Sequence, residues 1–416
     1  MSLRRIQAAD VARHRFDPVD DATRAGAGAI LNDVRNGGQQ AVRAHAERLG
    51  DIKPGEPLVY DRDALKKAAA SLSAGDLDTL KRTADRIAKF AMKQLEALKN
   101  VSMAVDSGEA GHEVRAMHAA GCYAPGGRFP LPSSVLMTAV TARVARVPDV
   151  WVASPKPVLV TLAAAHVADA DALLAIGGAQ AIGAFTYGAG ICKPRDVIAG
   201  PGNRWVTAAK QLVAGQVAID MLAGPSELVV IADESARADV VASDLLAQAE
   251  HDTDALPILI TTSAALAGAV DVELVKQLAT LPTRSTAEAA LRNGFCVIAR
   301  DIAEAAKVSN ELAPEHLELQ VKDADGLRAL VSSYGALFVG TGAAEVFGDY
   351  GVGPNHVLPT GGSSRFTGGL SVLTFLRVRT WLTMEHASPA LIDDVARLAR
   401  LEGLEAHARA AEMRRR

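Results

Sequence analysis

Glu315 and His316 stand side by side in LAPEHLEL, residues 312–319. Each can take or give a proton, and Pro314 with the alternating leucines places the pair at the mouth of a strand. Two adjacent bases suit two successive deprotonations in one pocket. Gln248 and His251, in LLAQAEHD, are three apart on an expected helix and project from one face. The plainer alternative there is a solvated helix end, with His251 favoured by the helix dipole. Asp349 and His356 fall in GDYGVGPNHVLPTGG, a loop crowded with glycine and proline, and Glu402 and His407 lie five apart in LEGLEAHARA, roughly adjacent on a helix. Gln248, His251, Asp349 and His407 together can offer two nitrogens and two oxygens to one divalent ion. Such a set suits zinc, and also manganese or cobalt, and leaves room for an open coordination position. Three glycine turns, YAPGGR, GGAQAIG and GPGNRW, each follow an expected strand. None is a G-x-G-x-x-G and no acidic residue follows at the ribose position, so they read equally as tight turns or as a phosphate or dinucleotide cradle.

The elements that must position these residues come from the hydrophobic pattern. From Asp21 to Met103 the spacing is mostly helical: DDATRAGAGAILNDVRNGG ends in a Gly-Gly stop, and a long amphipathic run opens at the cap candidate Ser73. From about residue 135, short apolar runs (VWVAS, ALLAI, DVIA, VAID, LVVIA) alternate with helix-length segments. A second set follows: PILITT, CVIAR, LELQV and ALFVG. This alternation predicts a mostly parallel, doubly wound sheet in each of two α/β domains. The expected division is an N-terminal helical segment at 1–122 packing on the second α/β domain, a first α/β domain at 123–232, a second at 233–370 and a C-terminal helical tail at 371–416.

The chain has 416 residues, 49% hydrophobic and 22% charged, which is ordinary globular composition with ample core. A net charge of −4 argues against nucleic acid or an anionic membrane as the main partner. Cys122, Cys192 and Cys296 are odd in number, widely separated and without a CxxC, so neither a disulfide framework nor a thiolate zinc site follows and a reducing cytoplasm is expected. The first residues lack the apolar core of a signal peptide, and no apolar run is long enough to span a membrane.

YAPGGRFPLPSSVLM, GGAQAIGAF, GPGNRWVTAAK, AGPSELVVIAD, ASDLLAQAEHD, LAPEHLEL, GPNHVLPTGG and LEGLEAHARA, in this order and spacing, resemble the histidinol dehydrogenase family. The likeness covers nearly the whole chain and is weakest before residue 30 and over 376–395. It implies two incomplete Rossmann-like domains and an enzyme of histidine biosynthesis, oxidising L-histidinol to L-histidinal and then to L-histidine with two NAD. It further implies one Zn²⁺ per subunit held by Gln248, His251, Asp349 and His407, with Glu315 and His316 as the acid–base pair. Ser226, His356 and Glu402 would contact substrate, which would also touch the metal ligands and the acid–base pair. Tyr123, Gln180 and Asn203 would contact NAD. The family resemblance also implies a homodimer whose tail crosses to the other subunit and completes its site. Asp252 departs from the small residue many members carry. Relatives with this core resemble dehydrogenases of other polar alcohols, including a sulfonated propanediol, so the same motifs fit a different alcohol.

Overall fold

The computed structural model describes residues 2–13, 19–126 and 129–415; Gly127 and Arg128 of the first glycine turn lie outside the described residues. The chain is α/β, as its alternating pattern requires. One six-stranded sheet runs, edge to edge, Val59–Asp61, Ala172–Leu174, Asp149–Ala153, Ala119–Tyr123, Val197–Ala199, Ala218–Ile219. All its pairs are parallel except that of Val59–Asp61. A second runs Arg4–Ile6, Phe295–Ile298, Leu256–Thr261, Glu227–Ala232, His316–Gln320, Ala336–Val339, wholly parallel. Apart from the edge strands Val59–Asp61 and Arg4–Ile6, which come earlier, in both sheets the chain starts at an inner strand, steps outward to one side, then returns to fill the other. That reversal opens a crevice beside the starting strand.

The apolar runs read as strands because parallel strands are covered on both faces. Leu228, Val230 and Ala232 join one core cluster of the second unit, while Val229 and Ile231 join the cluster on the opposite face. The same two-residue period sorts PEHLEL. Leu317 and Leu319 enter the second of these clusters, which turns His316, Glu318 and Gln320 to the other face.

Three parts of the expected organisation are corrected. The strand Glu227–Ala232 belongs to the second sheet, so the first unit ends before it and not at residue 232. The helices of the N-terminal segment pack on the first unit, not the second. Asp21–Arg48 lies against Gly178–Tyr187 and Arg204–Val213, Arg62–Ser71 against Leu159–Val167, and Ala74–Glu96 against Pro132–Val144. Amphipathic spacing shows that one helix face is buried but not against what; here Gly183 has no Cβ and admits Leu31 and Val34. The extreme N-terminus joins the second sheet, through Arg4–Ile6 beside Phe295–Ile298. Finally, a three-stranded antiparallel sheet of Val101–Val105, Gly108–Ala116 and Leu376–Met384 ties the expected tail to the N-terminal segment.

The Gly-Gly stop is a kink rather than an end. Gly38 takes φ 55° inside Asp21–Arg48 and the helix resumes beyond it. The final helix is in fact two, Pro389–Leu401 and Glu405–Glu412, broken at Gly403 with φ 76°. Among the described residues, no helix is long and apolar enough to cross a membrane.

Candidate active site

Pro314 cannot continue the helix Ile302–Leu312, and Ala313 turns the chain with a left-handed φ of 50°. The Ser364 hydroxyl fixes that turn by donating to the carbonyls of Ala313 (2.6 Å) and Pro314 (2.9 Å). Glu315 and His316 emerge from it at the start of the strand His316–Gln320. Glu315 Oε2 accepts from the Ser226 hydroxyl at 2.6 Å and from the Glu227 N–H at 2.8 Å. Both bonds go to Oε2, leaving Oε1 with neither. Burial raises the Glu315 pKa against the pull of His316 and these donors.

His316 Nδ1 lies 3.2 Å from the carbonyl oxygen of Glu227, which can only accept, so Nδ1 carries the proton. Nε2 is then the basic nitrogen. It is buried without a hydrogen bond, 3.7 Å from Asp349 Oδ1. Burial alone would lower the His316 pKa, but the carboxylates of Glu345, Glu315 and Asp349 outweigh it and raise it to about 10. A dication held by the same carboxylates would cancel much of that pull.

Gln248 and His251 do not share a helix. Ala238–Ala249 ends first, Glu250 caps it and His251 lies in the turn that follows. They converge all the same. His251 Nε2 lies 3.5 Å from Glu345 Oε1 and 3.6 Å from Asp349 Oδ2. The Gln248 amide, oriented to satisfy its neighbours, donates to both Glu345 oxygens at 3.1 and 3.2 Å and accepts from Ser226 Oγ at 3.1 Å. His251, Glu345 and Asp349 each offer a donor atom within 4.8 Å of the others. This N/O set, next to an unpartnered buried histidine nitrogen, fits a divalent ion such as zinc.

Asp349 is not in a loop; it sits on the short helix Glu345–Tyr350. Sequence reading missed Glu345, four residues earlier on that helix and buried. The i, i+4 spacing of two carboxylates was the available signal. It also missed Ser134, whose hydroxyl lies 3.3 Å from His356 Nε2, while His356 Nδ1 meets the Asp349 carbonyl at 3.1 Å. Two further buried carboxyls stand behind the site. Glu227 is pushed up to about 8 by burial and by Glu315. Glu318, pushed up to about 8 by burial and by Asp244, accepts the Glu345 N–H at 2.8 Å and so anchors that helix.

Glu315 and His316 stand at the amino ends of the second sheet's strands, not at the carboxyl ends where ligands of open sheets usually gather. The first sheet presents its carboxyl ends. Tyr123, Gln180 and Asn203 all lie there: the Tyr123 hydroxyl accepts the Gly178 N–H at 3.2 Å, and Gln180 Nε2 donates to Asp51 Oδ2 at 3.0 Å. Gln180 Oε1 is buried without a partner, and Asn203 caps the helix Arg204–Val213. A Cβ on Gly200 would come within 1.9 Å of the Tyr123 carbonyl oxygen, so the first and third glycine turns touch only because glycine stands there. Such bare backbone at helix starts fits a dinucleotide's phosphates.

Glu402 and His407 are not brought to the site within one chain. Both are exposed, Glu402 capping one terminal helix and His407 on the other. These helices pack on each other through Ala396, Ala399 and Ala408. Leu391, Val395, Leu398 and Leu401 make an apolar stripe along Pro389–Leu401 that is left open, with Val395 44%, Leu398 59% and Leu401 78% exposed.

A sequence model of the histidinol dehydrogenase family matches residues 14–415. This chain belongs to the histidinol dehydrogenase family. It is 43% identical to the histidinol dehydrogenase of Thermus thermophilus over 99% of this chain and 100% of that one. It is 41% identical to that of Geobacillus kaustophilus over 100% and 99%. The crystal structure of histidinol dehydrogenase from Elizabethkingia anophelis superposes with a TM-score of 0.91 at 29% identity, covering 99% of this chain and 98% of that one. An acetylating aldehyde dehydrogenase from Geobacillus thermoglucosidasius shares the fold at 14% identity and a TM-score of 0.50.

No cysteine enters this geometry. Burial pushes the Cys122 thiol up to about 12 and the Cys296 thiol up to about 11. At pH 8 about one in 10⁴ and one in 10³ of them, respectively, is thiolate. Iodoacetamide at pH 8 is therefore expected to leave both unlabelled in the native protein and to label both after unfolding, as mass spectrometry would show. Rapid native labelling of Cys122 or Cys296 would contradict their placement.

Proposed function

We propose that this chain oxidises L-histidinol to L-histidine through L-histidinal, with two NAD as hydride acceptors and one zinc ion per subunit, as a cytoplasmic homodimer. The observation that carries the reading is the buried pair itself: His316 Nε2 unpartnered, and Glu315 held by Ser226 with one carboxylate oxygen left over. Family membership supplies the substrate. His316 takes the proton of the substrate hydroxyl as the hydride leaves. The aldehyde must then gain water, and Glu315 takes a proton from that water before the second hydride leaves. Ser226 and the Glu227 N–H keep the Glu315 carboxylate aimed, and the Glu227 carbonyl holds the His316 tautomer. Zinc, when bound, would orient the substrate as a Lewis acid through its imidazole and amine. Gln248, His251 and Asp349 would hold it, with Glu345 beside them and His407 supplied by the second copy. NAD would receive each hydride, seated on the three glycine turns of the first unit beside Tyr123, Gln180 and Asn203.

The test is NADH formation with L-histidinol, with and without a chelator. Two NADH per histidinol and loss on chelation are expected. Turnover of a sulfonated propanediol but not of histidinol would replace the substrate, and full activity after metal removal would discard the zinc.

The exposed tail stripe supports sharing of the site between copies, with Glu402 accepting a hydrogen bond from the substrate amine. A protein with Glu315→Ala and His316→Ala should be inactive, and so should one with Glu402→Ala and His407→Ala. Unfolded and refolded together, they should regain about a quarter of wild-type activity, since half the dimers are mixed and half the sites in each are complete. No recovery, with subunit exchange confirmed by differently tagged chains, would remove the tail residues from a shared site.

A further inference from the structure

At the opposite end of the first sheet, away from the crevice, the amino ends of Ala119–Tyr123 and Asp149–Ala153 border a cavity of about 760 Å³. Its wall is completed by the three-stranded sheet and by the end of the helix Ala74–Glu96. Lys99, Arg115, His118, Arg146, Arg377 and Arg379 line it, and no aspartate or glutamate does. Leu95, Leu98, Met117 and Leu376 form an apolar floor.

The charge here is only partly neutralised within the chain. Arg115 and Arg377 are directly opposite each other across the antiparallel pair Gly108–Ala116 and Leu376–Met384. Like charges in that position repel. One carboxylate, Glu113, serves both Arg115 at 2.8 Å and Arg379 at 3.8 Å, and Asp196 is taken up by the backbone N–H groups of His118 and Ala119. Arg377 donates from one terminal nitrogen to the Ala116 carbonyl at 3.1 Å, and its Nε is buried with no partner. Arg146, held at φ 68° in the turn after the helix Pro132–Val144, and Lys99 make no ion pair among the described residues. A fold gains nothing from gathering cations around an apolar hollow unless an anion joins them.

We propose that this cavity binds a small organic phosphate, with its oxyanion between Arg146 and the Arg115–Arg377 pair and its apolar part on the leucine floor. Guanidinium forks match phosphate oxygens two at a time. The volume is that of an ordinary small-molecule pocket. The site lies at the other end of the sheet from Tyr123, Gln180 and Asn203, so it is separate from the dinucleotide seat proposed above and stands whether or not that reading does.

Phenyl phosphate and inorganic phosphate are the probes, titrated calorimetrically into the full chain at physiological salt. Saturable binding of one phenyl phosphate per chain is expected, tighter than that of inorganic phosphate because only the ester reaches the floor. Arg146→Gln with Arg377→Gln should weaken phenyl phosphate at least about tenfold. Circular dichroism and the melting temperature report whether that variant folds, and Lys99→Gln with Arg115→Gln is a second, more exposed pair that should also weaken binding. No saturable binding to the wild type, or undiminished binding in both folded variants, overturns the site. Equal affinity for the two probes overturns the assignment of an organic ligand.

Discussion

Glu315→Gln is expected to spare alcohol oxidation and cripple aldehyde oxidation, by about 10²- to 10⁴-fold, the usual cost of losing a general base. The substitution is mild structurally. A glutamine oxygen can still accept from the Ser226 hydroxyl and the Glu227 N–H, so the strand entrance should keep its shape. What is lost is the capacity to take a proton from water, which only the second oxidation needs. The measurement is steady-state turnover of the variant with histidinol and, separately, with histidinal. Near-wild-type oxidation of histidinal would show that Glu315 is not the base for water.

His251→Asn should lose bound metal and activity together while the fold persists. His251 lies beyond the helix Ala238–Ala249, outside the core clusters, so its removal leaves no cavity. Its ring nitrogen is, however, the point where the Glu345 and Asp349 carboxylates meet. Without it two buried carboxylates face each other with one fewer neutralising donor. Metal content by atomic emission and the circular dichroism spectrum decide the matter. Full zinc occupancy in the folded variant would take His251 out of the metal site.

The parts of this molecule that could be read from the sequence are those set by local pattern. Val229 to Ile231 and Leu317 with Leu319 announce buried strands because both sheet faces are covered, and PEHLEL announces the alternation that turns His316 inward. Glu345 escaped because its helix is only six residues long and its neighbours read as loop. The three-stranded sheet escaped because its pairing joins Gly108–Ala116 to Leu376–Met384, from opposite parts of the chain, and no local signal encodes such a partner. Tail residues Glu402 and His407 stand out by type and spacing, but within one chain nothing gathers them to the other candidates. Tyr123, Gln180 and Asn203 lie at carboxyl ends of the first sheet, where the rule for open sheets puts ligands, whereas Glu315 lies at an amino end of the second. The edge that carries Glu315 and His316 is formed where the second sheet's returning helices end.

That opposition of edges gives the two units electrical polarities of opposite sign. On the first unit's side, Pro132–Val144, Gly178–Tyr187 and Arg204–Val213 begin, and each helix start carries partial positive charge. On the second unit's side, Ala238–Ala249 and Ile302–Leu312 end, and their last carbonyls add partial negative charge to that of Glu315, Glu345 and Asp349. Each terminus favours the complementary charge by about 0.3–1 kcal/mol. A molecule entering between them is thus sorted by sign, its anionic groups drawn to one bank and its cationic groups to the other, before any side chain makes a specific contact.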